Sequence, residues 1–180
     1  MSGGAAALAE LPPSAIDAEE ALFTQALELR RAIGDRAGIA ESLFGVGLVH
    51  QVLRGDWDTA MPYFREALIE ADAHGDLYTR SEAYRHVGFF HLVVSGRPSE
   101  AVDHLARSLE LREELGDPRL LASASLALGQ ALLIAGRREA GLAALRDAVD
   151  AGAAAGLRRP WADGARDWLR RAEAGEMPSF

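Results

Sequence analysis

Glycine recurs in this chain at a fixed stride, and that stride restricts the fold more than any local pattern does. The dipeptides Gly34-Asp35, Gly75-Asp76 and Gly116-Asp117 lie 41 residues apart. Gly47, Gly88 and Gly129 repeat the same step of 41, and Gly55, Gly96 and Gly136 are spaced by 41 and then 40. Three series in phase mean that one structural unit is used three times, and a period of this length is the mark of stacked repeats.

The chemistry of each series says what the unit contains. A glycine followed by aspartate reads as a helix junction: glycine supplies a left-handed residue that ends one helix, and the carboxylate caps the free amides that open the next. Pro118, directly after Asp117, suits a first helical turn. The mid-repeat glycines Gly55, Gly96 and Gly136 mark a second turn, so each period holds two helices of four to five turns. Helices are predicted near 36 to 53, 57 to 73, 77 to 94, 98 to 115, 118 to 135 and 138 to 155. Pro12-Pro13-Ser14 opens another that reaches Ile33, and Pro160 opens a last one that reaches about Ala174.

The recurring residues resemble the tetratricopeptide repeat family, in which a large residue, Leu-Gly and an aromatic lie on the first helix and Ala, an aromatic and Ala on the second. The first copy carries Leu43, Val46-Gly47, His50, Ala60, Phe64 and Ala67; the second Tyr84, Val87-Gly88, His91, Ala101, Leu105 and Ser108; the third Ser125, Leu128-Gly129, Leu132, Gly141, Leu145 and Ala148. The small residues mark close approach of two helices and the large ones fill the adjoining gap. Histidine replaces the usual aromatic in two copies, and the unit exceeds the common 34 residues, as in the long variant of bacterial regulators with sensor arms. The resemblance spans Glu19 to Ala155 and implies an all-α, right-handed α-α solenoid of three helix pairs between two end helices, eight helices in all.

On this reading residues 14–174 form a single domain. An N-terminal cap helix (14–33) precedes repeats at 35–75, 76–116 and 117–156, and a C-terminal cap helix (160–174) follows, with flexible ends at 1–13 and 175–180. The first end helix matches the second helix of a unit, because Phe23, Ala26 and Leu27 stand one period before Phe64, Ala67 and Leu68. In the last one Trp161, Ala165, Trp168, Leu169 and Ala172 form a stripe at helical spacing opposite Asp163, Arg166 and Arg170.

Composition removes several classes of function. There is no cysteine, hence no disulfide frame, thiolate metal site or cysteine nucleophile, which fits a reducing cytoplasm. A formal charge of -8 without a sizeable basic patch disfavours nucleic acid and anionic membrane surfaces. The longest uncharged run, Leu120 to Gly136, contains Ser123, Ser125 and Gln130 and sits inside a repeat, so it reads as a buried helix and not a membrane span. The first ten residues lack the basic start and apolar stretch of a secretory leader. No phosphate-cradling glycine loop, nucleophile elbow or zinc signature is present, and neither a cofactor nor a metal is expected.

In the family, first helices line the concave surface. Carried onto this sequence, the lining is Glu41, Phe44, Leu48, Gln51 and Val52; then Glu82, Arg85, His86, Phe89, Leu92 and Val93; then Ser123, Leu126, Gln130, Leu133 and Ile134. This wall is oily for a hydrated surface, since Ser42 to Leu53 and Val87 to Val94 are apolar nearly all round. Tight curvature, the first end helix, a second copy of the chain, or a partner's helix or peptide would cover it. Glu41, Glu82, Arg85 and His86 would form its polar end, with Arg85 suited to a partner carboxylate. His50 and His91 occupy equivalent positions and read as packed substitutes for the family aromatic, whereas His74 and His104 read as turn and outer-surface residues. Asp56, Trp57 and Asp58 read as a helix cap, and Glu110, Arg112, Glu113 and Glu114 as a solvated face.

The function expected first is a non-enzymatic interaction module, holding a protein or peptide partner or its own twin. The alternative is a sensor arm for a small apolar ligand oriented by Gln51 and Gln130. An enzyme using His50, His86 or His91 as base ranks third, because a fold carries no chemistry by itself.

Overall fold

The structure, a computed structural model, describes residues 12–176. The described residues are all helical, with eight helices and no strand: α1 (Pro13–Ile33), α2 (Arg36–Leu48), α3 (Trp57–His74), α4 (Leu77–Val93), α5 (Pro98–Leu115), α6 (Pro118–Ile134), α7 (Arg138–Ala154) and α8 (Trp161–Glu173). Helix α1 begins at Pro13; residues 1–11 and 177–180 of the ends expected to be flexible lie outside the described residues. The chain divides into two compact units, Met1–Ala83 and Tyr84–Phe180, with the division inside α4.

The aspartates act as the sequence predicts. Asp35 accepts the Gly38 amide at 3.0 Å, Asp76 the Thr79 amide at 2.7 Å and Asp117 the Arg119 amide at 2.8 Å, each satisfying a donor the helix leaves open. The glycines before them are not uniform. Gly34 and Gly116 are left-handed, at φ 74° and 69°, but Gly75 is extended at φ −78°. Its requirement for glycine is instead one of space, because a Cβ there would lie 2.7 Å from the Ala71 backbone.

A second departure ends α2. Val49–Leu53 forms a widened π turn in place of the expected α-helix, with the Arg54 amide donating to the Val49 carbonyl at 3.1 Å. The Asp56 amide then donates to the carbonyl of His50 at 2.8 Å.

Within each helix pair the same contact recurs. A methyl added at Gly47 would come within 2.6 Å of the Phe64 ring, one at Gly88 within 2.7 Å of Leu105 and one at Gly129 within 2.9 Å of Leu145. Phe64, Leu105 and Leu145 are almost wholly buried, and so are Ala67, Ser108 and Ala148 three residues further on. Glycine on one helix and a large side chain on the next therefore set the distance between the pair. In unit 1, Leu27, Ile39, Leu43 and Ala67 complete the core. In unit 2, Leu92, Val102, Leu105, Ala131 and Leu132 form one cluster, and Leu133, Leu145 and Ala172 form another that α8 covers with Trp168 and Leu169.

Arg112 overturns its assignment to a solvated face. It is 1% exposed, and its Nη1 donates to the Leu120 carbonyl at 3.3 Å and to Ser123 Oγ at 2.7 Å. Arg30, two periods earlier, does the same: its Nη1 donates to the Gly38 carbonyl at 2.7 Å and to Ser42 Oγ at 2.8 Å. Each arginine ties the end of one helix to the start of the next.

Gly47→Ala is expected to lower the unfolding free energy by about 1–3 kcal/mol, the usual cost of forcing a methyl into a filled contact. Gly164→Ala, in α8 where an added methyl meets nothing within 4 Å, is expected to raise it by about 0.5–1 kcal/mol. Urea denaturation of the two variants beside the parent chain checks both signs.

Candidate partner-binding surface

Helix α2 is buried on most of its circumference because α1 and α3 pack against it from two sides. What remains open is a narrow strip of the residues foreseen as groove lining. Glu41 is exposed, Phe44, Leu48 and Gln51 are half-buried, and Val52 keeps 46% of its surface. The Phe44 ring rests 5.7 Å from that of Phe64, which fixes its inner edge. Beside the strip, α4 begins with Asp76 as its cap. Glu41, Phe44, Asp76, Tyr78, Thr79 and Glu82 line a cleft of about 240 Å³.

The part of the predicted lining in unit 2 is less uniform. The guanidinium of Arg85 lies 4.9 Å over the Phe89 ring, and its Nη1 is 3.3 Å from Nε2 of His86. Arg85 thus lies along its own helix. Phe89 is half-buried against the unit 2 core, and Val93 is 42% exposed. His86, Leu92, Gln130 and Leu133 are buried. Leu92 belongs to the core cluster and Leu133 packs on Leu145 and Ala172, so these two offer no open face. Leu126 and Ile134 remain half-buried beside those clusters.

The histidines have local partners. His50 sits at the π turn, its ring parallel to that of Tyr63 at 5.7 Å, with Nε2 3.3 Å from Glu20 Oε1. Glu20 also accepts from Arg54 at 2.6 Å, and Asp17 takes a further bond from the same guanidinium at 2.7 Å. The other ring nitrogen, Nδ1, is buried and has no hydrogen-bond partner. In unit 2, Ser95 Oγ donates to the His91 carbonyl at 3.3 Å, which leaves that oxygen to accept from His91 Nδ1 at 3.2 Å. Glu100 lies 3.4 Å from the same nitrogen.

His104, expected on the outer surface, is instead half-buried. Its ring stacks on that of His91 at 5.4 Å with the planes 10° apart, and it meets Tyr84 at 5.9 Å. Position 104 stands one period after Tyr63, the ring that covers His50. Each pair thus fills the aromatic slot of the repeat from both sides. Among the described residues no three His, Asp or Glu side chains converge as metal ligands, and no helix is long and apolar enough to cross a membrane.

No protein-family model matches the sequence, and no curated protein does. Among solved structures, the crystal structure of BtubC (BKLC) from P. vanneervenii is similar, with a TM-score of 0.67 at 16% identity. The similarity covers 89% of this chain but 66% of that one, and at such identity it speaks for the helical fold alone.

Burial, and after it repulsion from His91, lower the pKa of His104 below its ordinary 6.5, while Asp103 and Glu100 pull the other way. The unfolded chain therefore protonates at His104 more readily than the folded one. The stability from this pair is complete above pH 6.5 and is lost as the pH falls from there to the folded value. His104→Phe, which keeps a ring against His91, is expected to flatten the decline of unfolding free energy between neutral pH and about pH 5. Urea denaturation across that range, variant beside parent, checks it.

Proposed function

We propose that the chain is a non-enzymatic interaction module of tetratricopeptide type, built as a solenoid of helix pairs, which holds an extended peptide or a helix of a partner along its first helices. The observation that supports this reading most is the open strip on α2. Glu41, Phe44 and Leu48 on α2, then Val52 in the π turn that ends it, succeed one another at steps of three or four residues, beside a largely buried run from Gly38 to Gly47. Within unit 2, Arg85, Phe89 and Val93 stand at steps of four on α4. Partly open apolar side chains with a charged residue at one end are what groove binders offer to anchors of a peptide or helix.

A small-molecule sensor is the second reading, favoured only by the cleft beside α2. At about 240 Å³ it is smaller than the usual pocket of a drug-sized ligand, about 300–1,000 Å³, and suits a side chain or a fragment. Catalysis by the histidines ranks last, because the rings of His50 and His91 are stacked on Tyr63 and His104 and are buried.

Val52→Asp and Val93→Asp test the proposal. Both side chains are partly exposed, so helical content and unfolding free energy should stay within about 0.5 kcal/mol of the parent. Peptides selected against the full chain from a random display library should lose at least about tenfold in affinity for one variant or the other. Affinity unchanged in both would move the binding surface elsewhere. Light scattering that shows a dimer dissociated by either substitution would identify the occupant as a second copy.

A further inference from the structure

Helix α1 has two apolar faces, and only one of them is used within the chain. Leu27 belongs to the core of unit 1, whereas Leu22, Leu29 and Ile33 on the opposite side keep 64%, 67% and 77% of their surface. With Ala18 and Gln25, which are also exposed, they succeed one another at steps of three or four residues. At about 100° per residue, an arc of about 140° around them carries no charged side chain. The repeat does not ask for this. One period on, α3 holds Glu66, Glu70 and His74 where α1 has Gln25, Leu29 and Ile33. A stripe of large apolar side chains left open on a helix marks a contact surface.

Charge decides what the stripe accepts. Glu19 borders it on one side and Glu28 on the other, both exposed, and among the described residues neither has an ion-pair partner. The other charges of α1 are met within unit 1: Asp17 and Glu20 by Arg54, Arg30 by Glu41, and Arg31 by Glu66. A second copy of the chain, with a formal charge of -8, would bring a Glu19 and a Glu28 of its own to the same borders. A helix flanked by arginine or lysine meets them with the opposite charge.

We infer that the outer face of α1 docks a basic amphipathic helix of a partner protein, which lays an apolar seam on Leu22, Leu29 and Ile33 and sets arginine or lysine beside Glu19 and Glu28. From Ala18 to Ile33 the stripe runs about 22 Å, so it suits a helix of about four turns. The long stems of arginine or lysine extend the apolar contact at its edges. Three large side chains cover less than a standard interface, so the complex is a transient one. This surface is separate from the strip on α2 and does not depend on it.

The test is a titration of the full chain, followed by amide NMR shifts, with three capped synthetic peptides of 18 residues. One carries a leucine seam at heptad spacing flanked by arginine, the second has glutamate in place of each arginine, and the third has the composition of the first in scrambled order. The first is expected to give saturable shifts confined to residues 18–33, weakening as salt is added. Its dissociation constant should rise at least about tenfold in the double variant Leu22→Gln, Leu29→Gln, in which glutamine keeps the helix propensity and the thermal melt. It should rise about three- to tenfold in Glu19→Gln, Glu28→Gln, the worth of two exposed ion pairs. Val52→Asp, which probes the strip on α2, should leave it unchanged. The glutamate or the scrambled peptide bound as tightly as the first, shifts scattered over other surfaces, or no binding would each overturn the inference. So would light scattering that shows a dimer dissociated by the leucine double variant, because the occupant is then a second copy.

Discussion

Everything in this chain depends on how closely two helices approach at one point in each pair. Where Gly47, Gly88 or Gly129 meets Phe64, Leu105 or Leu145, no room is left for a methyl group. The large side chain is buried completely or nearly so, and the glycine backbone forms part of its wall. Burial of such a side chain contributes on the order of 1.5–3 kcal/mol, but only at this spacing. The glycine lowers helix propensity by about 1 kcal/mol, a cost the contact exceeds. A weak helix former is thus retained in the middle of a helix, and its recurrence at a constant stride is the outward sign of a contact made three times.

This constraint accounts for what could be read without coordinates. Helix positions follow from caps and glycines, whose chemistry is local, and the observed ends fall within a residue or two of those expected, the π turn aside. Asp35, Asp76 and Asp117 each bind an amide of the turn they open, as their short carboxylate side chains dictate. The exceptions arise where a tertiary contact overrides the local rule. Gly75 is extended, and a Cβ there would run into the Ala71 backbone, so the glycine serves space and not handedness. The π turn at Val49–Leu53 has no marker in its residues, which read as ordinary helix.

Arg112 shows the limit more sharply. In a run with Glu110, Glu113 and Glu114 its neighbours point to solvent, yet it lies almost wholly inside. A buried guanidinium is tolerable only when its donors are met, and the Leu120 carbonyl and Ser123 supply partners. The sign that existed in the sequence was relational: Arg30 stands two periods earlier, with Gly38 and Ser42 at nearly the same offsets as Leu120 and Ser123. His104 is a parallel case, one period after Tyr63. In a repeat, a polar residue is better judged by its counterpart in other copies than by its immediate neighbours.

The same reasoning narrows the surface left for a partner. A first helix that is apolar nearly all round suggested a broad oily wall in need of cover. In α2 and α6, however, that composition is consumed internally, since each is flanked by two helices of its own unit: α1 and α3 for α2, α5 and α7 for α6. Leu92 and Leu133 go into core clusters for the same reason. A helix held from two sides needs roughly two apolar faces, and the sequence alone does not say how many neighbours it has. On α2 what escapes burial is a strip one residue wide, beside a cleft lined in part by Phe44 and Tyr78. A partner held on so narrow a strip would need a few well-placed anchors, because affinity follows the quality of the anchors and not the buried area.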